Sequence, residues 1–514
     1  MTETLSTDVL VIGGGPAGTW AAIRAAEFGV GVILADKGYT GTSGATASAG
    51  TGVWYVEPGR REAAIAKREH LGAGLTDRTW MLRVLDETYA RMDELARVQR
   101  YPFPVDADGR RIIDDLQGPE YMKRQRLRVQ RLGVQILDHT PALHLLVDDS
   151  GVVSGAVAVQ RKSGKAVRIE AAAVVLATGG CAFQSKTLGC DVDTGDGALM
   201  AVEAGAVLSG MEFSNSYAIA PTGTAVTKNA FYNWATFYRA DGSVFEVPNS
   251  KDRTLMASVM LQEPVLASLD RATAAERTQM RLAQPNFFLS FDRLGIDPFT
   301  ERFEISLVTE GTVRGTGGVR IADSDCGTDV SGLYAAGDTA TRELIAGAWT
   351  GGGAHNASWA ACSGGWAGAG AAAFAALRGR PSGRTHAVGE PGPADHRDAV
   401  ARVRSLVLPY EINCLRHASR LAPALQELNQ MWANRGGETA LGEDQFRARE
   451  ASAMLAHARW MYHAALERTE SRGMHRRFDY TDLDPAQEHR LITGGLDTLW
   501  SRPEPLWLSE GRAA

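Results

Sequence analysis

The sequence predicts an α/β protein that carries an inserted α+β segment and is closed by a helical C-terminal domain. Three observations support this reading. Asp8-Val9-Leu10-Val11-Ile12 is a short apolar run of the buried-strand type. A glycine cluster, a helix from Thr19 to Phe28 and a second apolar run from Val30 to Ala35 follow it and complete a β-α-β unit. From Tyr217 to Leu307 the texture turns aromatic and irregular, with Trp234, Tyr238 and Phe287-Phe288. From Asp395 to about Arg472, long Ala/Leu/Arg/Glu stretches read as helix.

Between these landmarks the elements follow in order. Thr40 to Gly52 is a Gly/Ser/Thr/Ala loop without apolar periodicity, and about Arg61 to Val98 is helical in composition. Val134 to Leu137, Ala142 to Val147, Val152 to Val159 and Val167 to Ala171 read as strands. Val174 to Ala177 is another buried strand, ending in Thr178-Gly179-Gly180, and Thr194-Gly195-Asp196-Gly197 opens a helix from Ala198 to Ala204. Leu333 to Asp338 returns to strand followed by glycine, and Pro381 to Pro393 has the composition of a linker. The expected division is a first domain in two parts (1–216 and 313–385), a capping domain (217–312), a helical domain (395–490) and a tail (491–514).

The 514 residues hold 54 Lys+Arg and 60 Asp+Glu, for a net charge of −6, with 44% hydrophobic and 22% charged residues. These values exclude a disordered, collagen-like or coiled-coil chain. The mild acidity argues against nucleic acid or anionic membrane as a partner. Five cysteines without C-x-x-C spacing argue against a disulfide framework and against an iron–sulfur or zinc site in this chain, so no metal is expected. Met1 to Asp8 does not read as a signal peptide, and the apolar stretch Gly364 to Leu377 is too short to span a bilayer. The expectation is a cytoplasmic protein without an integral membrane segment.

The 56 glycines fall in clusters, and the first is the most informative. In Gly13-x-Gly15-x-x-Gly18 the first glycine permits a tight turn and the second lets backbone approach a pyrophosphate. The third lets the helix pack close to the strand, and the helix N-terminus, with Pro16 and Ala17, offers N–H groups to phosphate. Asp36, followed by Lys37, ends the second strand, where a carboxylate accepts hydrogen bonds from an adenosine ribose. This is a Rossmann-like dinucleotide site. The later strand-glycine motifs at Thr178-Gly179 and Gly337-Asp338 argue for FAD, and the lack of a second G-x-G-x-x-G argues against a separate NAD(P)H domain.

These motifs resemble the flavoprotein subunits of succinate dehydrogenase and fumarate reductase, with L-aspartate oxidase and adenylylsulfate reductase alpha as relatives. The matching residues are Val11 to Gly18, Ala177 to Gly180, Thr194 to Gly197, Met200 to Ala206, Met211-Glu212-Phe213, Gly317-Gly318-Val319 and Gly332 to Asp338. Arg468-x-Glu470-Ser471-Arg472-Gly473-x-His475 is similar to that family's helical-domain signature. The resemblance implies that Ser43, Gly44 and the loop through Gly50 lie along the pyrophosphate and flavin. It implies that Asp196 belongs to the cofactor site, that Asp338 holds the ribityl chain, and that a helix starting near Ala357-Ser358 points its N-terminus at the flavin. Some members attach FAD through a histidine after a serine in the loop. Here Ser43-Gly44-Ala45 occupies that place, so non-covalent FAD is expected.

The family's dicarboxylate-binding groups are largely replaced. Tyr217 and Val313 stand where histidines are expected, and Gly351 to Ser358 replaces an arginine-bearing stretch. Succinate, fumarate and aspartate are therefore not the expected substrates. Three residues are candidates for chemistry. His355 is either a proton-transfer group or a loop hydrogen-bonder. Arg314 is either a carboxylate anchor or a salt-bridge partner of the insert. Tyr217 is either a weak acid or core packing. Arg472 and His475 read as structural.

The expected function is FAD-dependent two-electron oxidation or reduction of a small organic molecule. The alternative is an electron-transfer subunit working with a separate iron–sulfur, ferredoxin-like partner.

Overall fold

The computed structural model describes residues 3–105, 108–113, 115–227, 229–247, 253–381, 383–436 and 442–504. Its centre is an 8-stranded sheet in the order Thr385–Ala387, Ala142–Asp148, Val153–Val159, Ala166–Leu176, Glu3–Ile12, Val32–Ala35, Gln135–Leu137, with Leu333–Ala335 also paired to Ala166–Leu176. Around the glycine cluster the pairing is parallel. Ile12 lies opposite Ala35 on one side and Leu176 on the other, and Leu176 lies opposite Ala335. Their carboxyl ends therefore share one edge of the sheet, which is where open α/β sheets bind ligands.

Helix Pro16–Glu27 packs on helix Gly352–Arg378, and glycines set the distance. A Cβ on Gly364 would lie 2.3 Å from the Ala17 carbonyl oxygen, and one on Gly368 would lie 2.2 Å from that of Ala21. The Ala/Gly composition of this helix is thus a packing requirement. It starts at Gly352, ahead of the Ala357 start expected from sequence. Among the described residues it is the one helix long and apolar enough to cross a membrane, and 72% of its apolar window is buried in the protein.

The insert forms an antiparallel sheet in the order Ser216–Pro221, Phe303–Glu310, Val265–Ser268, Thr236–Tyr238, over a core of Phe231, Phe287, Phe288, Phe291 and Phe303. Helices His396–Val407, Ala418–Ala433 and Glu443–Glu467 make the C-terminal part. The last is buried nearly all round because it lies between its neighbours and the α/β layer. Arg472 and His475 are buried as expected for structural groups, with Arg472 Nε donating to Glu470 at 2.6 Å.

Two stretches read as irregular carry structure. Thr385–Ala387, inside the expected linker, is the edge strand of the large sheet. Leu491–Gly494 and Trp500–Pro503, in the expected tail, form a hairpin joined to Leu208–Ser209. Residues 505–514 of that tail lie outside the described residues.

Candidate active site

A cavity opens at the shared strand edge. Gly13, Gly15, Pro16 and Ala17 line one wall, and Gly15 is the N-cap of helix Pro16–Glu27 with no side chain capping it. The N–H groups of that first turn are thus left for a ligand. The three glycines divide as their spacing predicts. Gly13 takes φ +110°, and a Cβ there would strike the Ala177 carbonyl at 2.2 Å. A Cβ on Gly18 would lie 1.8 Å from the Gly13 carbonyl, so Gly18 serves packing and does not line the cavity. A Cβ on Gly15 would meet nothing within 4 Å. The space beside Gly15 is required by nothing in the protein itself.

Asp36 lines the cavity and ties its two sides together. Oδ2 accepts from Gly14 N at 2.5 Å, while Oδ1 accepts from Gly38 N at 2.6 Å and Ser43 Oγ at 3.1 Å. Lys37 Nζ donates to Thr194 Oγ1 at 2.8 Å, Asp196 Oδ2 at 2.7 Å and Glu450 Oε1 at 3.0 Å. Burial works against its charge, but Asp196 and Glu450 outweigh that and hold its pKa above the ordinary lysine value. Lys37 thereby pins the Thr194 to Gly197 turn and the helical domain to the cavity wall.

Thr178, Gly179, Gly337 and Asp338 line the opposite wall. Thr178 Oγ1 accepts from Gly197 N at 3.1 Å, and Arg342 donates to Asp338 Oδ1 at 2.5 Å. Ser43 and Gly44 lie on the facing loop, and Gly353, Asn356 and Ala357 bring in the first turns of helix Gly352–Arg378. Arg314, at the end of the short turn Gly311–Arg314, also lines the cavity, and its Nε lies 3.8 Å from Glu310 Oε1.

Several expected residues lie elsewhere. Tyr217 is in the core of the insert, 4% exposed, and its hydroxyl donates to the carbonyls of Leu408 at 3.2 Å and Val407 at 3.3 Å. It therefore braces the insert against the helical domain, and burial pushes its pKa well up, so it is no acid at the cavity. The His355 ring does not line the cavity. It packs on Trp54 with centroids 4.3 Å apart, and Nδ1 lies 2.7 Å from the Gly351 carbonyl. Ser358 points to the same segment and accepts from Trp54 N at 2.9 Å. Gly50 pairs with Gln117 and faces the insert, where a Cβ would lie 2.5 Å from the Ala283 carbonyl.

Four polar residues escaped the sequence reading. Asp193 lines the cavity; it is 5% exposed with Oδ2 unpartnered, and burial and the nearby Asp338 push its pKa well up. Its signal was its position just before the Thr194 turn. Asn356 donates to the Val313 carbonyl at 2.8 Å and keeps Oδ1 unpartnered. Glu310 and Arg253 are buried behind Arg314. Burial raises the Glu310 pKa against the pull of Arg314 and Arg253, and Thr227 Oγ1 donates to Glu310 Oε1 at 2.9 Å. Neither had a motif to mark it.

These features fit FAD. The uncapped helix N-terminus and the free space at Gly15 suit a pyrophosphate, and the unpartnered Asp193 and Asn356 oxygens suit a polar ligand.

Comparison with known proteins agrees. Residues 8–304 match the family model "FAD binding domain", and residues 409–498 match "Fumarate reductase flavoprotein C-term". The L-aspartate oxidase of Mycobacterium leprae is 28% identical over 95% of each chain, and that of Caulobacter vibrioides is 30% identical over 70% of this chain and 68% of its own. Among solved structures, a variant of E. coli quinol fumarate reductase superposes with a TM-score of 0.83 at 20% identity, covering 98% of this chain and 97% of its own. Adenylylsulfate reductase of Archaeoglobus fulgidus gives 0.79 at 18% identity, covering 98% and 96%. The chain belongs to the FAD-binding flavoprotein family that includes L-aspartate oxidase and the fumarate reductase flavoprotein subunit, and it is an FAD-dependent oxidoreductase.

Proposed function

We propose that this enzyme holds FAD non-covalently in the Gly13–Asp338 cavity and uses it on a small organic substrate bearing a single carboxylate. Bound FAD supplies two-electron, hydride-transfer chemistry. The residues supply the rest. The first turn of Pro16–Glu27 binds the pyrophosphate, and Asp36 orders the ribose end. The N-terminus of helix Gly352–Arg378 favours negative charge where Gly353 and Ala357 meet the cavity. No histidine, cysteine or tyrosine lines the cavity among the described residues, which supports a non-covalent site.

Arg314 carries the substrate reading. Among the described residues, Lys37 and Arg314 are the cations lining the cavity, and Lys37 is committed to Asp196 and Glu450. Arg314 faces the cavity with Glu310 behind it, and that carboxylate offsets part of the charge. One anchored guanidinium suits one carboxylate better than two. Mycobacterial and other relatives are named L-aspartate oxidase, so L-aspartate is the comparison substrate. Anaerobic bleaching of the bound flavin by a panel of 2-amino and 2-hydroxy monocarboxylates, beside L-aspartate and succinate, tests the reading. A monocarboxylate should bleach it fastest, and Arg314→Ala should raise the substrate concentration needed. Faster bleaching by a dicarboxylate, or no effect of Arg314→Ala, would reject it.

A second reading follows from the match to the fumarate reductase C-terminal model: electrons leave to a separate iron–sulfur protein. Rapid oxygen consumption by the purified enzyme with its substrate would favour a free oxidase instead. We place the enzyme in the cytoplasm on either reading.

A further inference from the structure

Asp193 stands in the cavity wall with one carboxyl oxygen unused. Its backbone is fixed on both sides: the carbonyl accepts from Ala182 N at 2.8 Å, and the N–H donates to the Cys190 carbonyl at 2.9 Å. Gly179 gives the side chain its place, since a Cβ there would lie 2.4 Å from Asp193 Oδ1. Oδ2 is buried and has no hydrogen-bond partner among the described residues. The charged groups on the same walls are Asp36, Lys37, Asp196, Arg314 and Asp338. Each nearby cation already has a carboxylate. Lys37 holds Asp196 and Glu450, Arg342 holds Asp338, and Arg314 has Glu310 behind it. On the same loop, burial pushes the Cys190 thiol up, and His457 of the helical domain, packed behind Gly195, is brought down to about 4. Among the described residues no cation is left for an ionised Asp193, so a charge there is costly.

We propose that Asp193 binds FAD as the neutral acid, donating the hydrogen on Oδ2 to an acceptor atom of the cofactor. The proposal rests on the FAD assignment of this cavity. The surroundings favour the neutral form: burial, then Asp338, oppose the charge, and Lys37 and Arg314 offset them only in part. Asp193 differs in this from Asp36, whose two oxygens are filled by donors from Gly14, Gly38 and Ser43. FAD is rich in carbonyl, hydroxyl and phosphate oxygens, and it is anionic. A protonated carboxyl offers such a ligand a donor, whereas an ionised one offers only acceptors and adds repulsion. The ionisation that destabilises the fold therefore also weakens the hold on the cofactor.

The test follows the full chain without cofactor from about pH 5 to about pH 9 at constant ionic strength. Urea unfolding reads stability, and fluorescence titration reads the Kd for FAD. Asp193→Asn keeps a donor and cannot ionise, and Asp193→Leu keeps the volume without a donor. The folded pKa of Asp193 lies above its unfolded value, so the native enzyme should lose stability relative to Asp193→Asn as the pH rises toward that folded pKa. Native FAD affinity should hold while this gap widens and fall by about tenfold per pH unit once the widening stops. Asp193→Asn should match native affinity at low pH and keep it throughout. Asp193→Leu should bind about 5- to 150-fold more weakly than Asp193→Asn, the cost of burying a ligand acceptor without its donor. A stability gap that does not change with pH would overturn the proposal, as would native FAD affinity in Asp193→Leu. If Asp193→Leu does not fold, Asp193→Asn decides: alkaline weakening equal to the native enzyme's overturns the proposal, and a flat Kd beside a widening gap supports it. Failure of the native enzyme to bind FAD at any pH would overturn the cavity's assignment and the proposal with it, whereas the other adverse outcomes overturn the role of Asp193 alone.

Discussion

Gly15→Ala should separate cofactor binding from folding. Gly15 has φ −74°, which any residue adopts, and its Cβ would meet no atom of the protein within 4 Å. Two small effects on the apo protein oppose each other. Reduced freedom of the unfolded chain stabilises by about 0.4–1 kcal/mol, and alanine is a poorer helix N-cap than glycine by a similar small amount. The apo melting temperature should hardly move. With FAD bound, the same methyl occupies the space of the pyrophosphate. Overpacking of that kind costs about 1–3 kcal/mol, roughly a 5- to 150-fold weaker Kd. Gly18→Ala is the contrast, since its Cβ would lie 1.8 Å from the Gly13 carbonyl and must disturb the apo fold. Titration of apo-enzyme with FAD by fluorescence, beside apo thermal unfolding, reads both quantities. Native FAD affinity in Gly15→Ala, or an apo melting point lowered as far as in Gly18→Ala, would refute the reasoning.

Two further perturbations test the surrounding framework. Lys37→Met leaves Asp196 and Glu450 without their shared cation, so the stability measured by urea should fall by about 3–5 kcal/mol, the range for breaking a buried ion pair from one side; an unchanged midpoint would contradict the hub. His457 is buried against Thr312 and Gly195, and burial lowers its pKa from 6.5 to about 4. The unfolded chain therefore binds this proton first, and stability should be full above pH 6.5 and fall as the pH drops toward 4, by at most about 3 kcal/mol from this group. His457→Gln should flatten that part of the stability profile, and a profile of native slope would remove His457 as its source.

The cofactor half of the site was legible because backbone chemistry leaves sequence marks. Gly13, Gly18 and Gly337 sit where a side chain would strike backbone or force a positive φ, so only glycine serves. Asp36 and Lys37 follow a buried strand at a fixed distance from those glycines. The substrate half left no such mark. Glu310 and Arg253 come together because the strand Phe303–Glu310 returns from the insert beside Ser216–Pro221, a pairing between residues distant in sequence. Tyr217 aligned with a catalytic position, yet its hydroxyl turned to the Val407 and Leu408 carbonyls of a domain whose docking the sequence does not state. His355 comes after three glycines, a setting that suits a catalytic loop residue, but it lies inside the helix from Gly352, and Trp54 takes its ring face.

The most direct test of the account is an absorbance spectrum of the purified enzyme, repeated on the supernatant after acid precipitation. The account predicts a flavin spectrum whose colour passes wholly into the supernatant, because no histidine, cysteine or tyrosine side chain lines the Gly13–Asp338 cavity among the described residues. Colour held in the pellet would contradict the non-covalent site, and an enzyme that takes up no flavin even with FAD added would contradict the cavity's assignment itself.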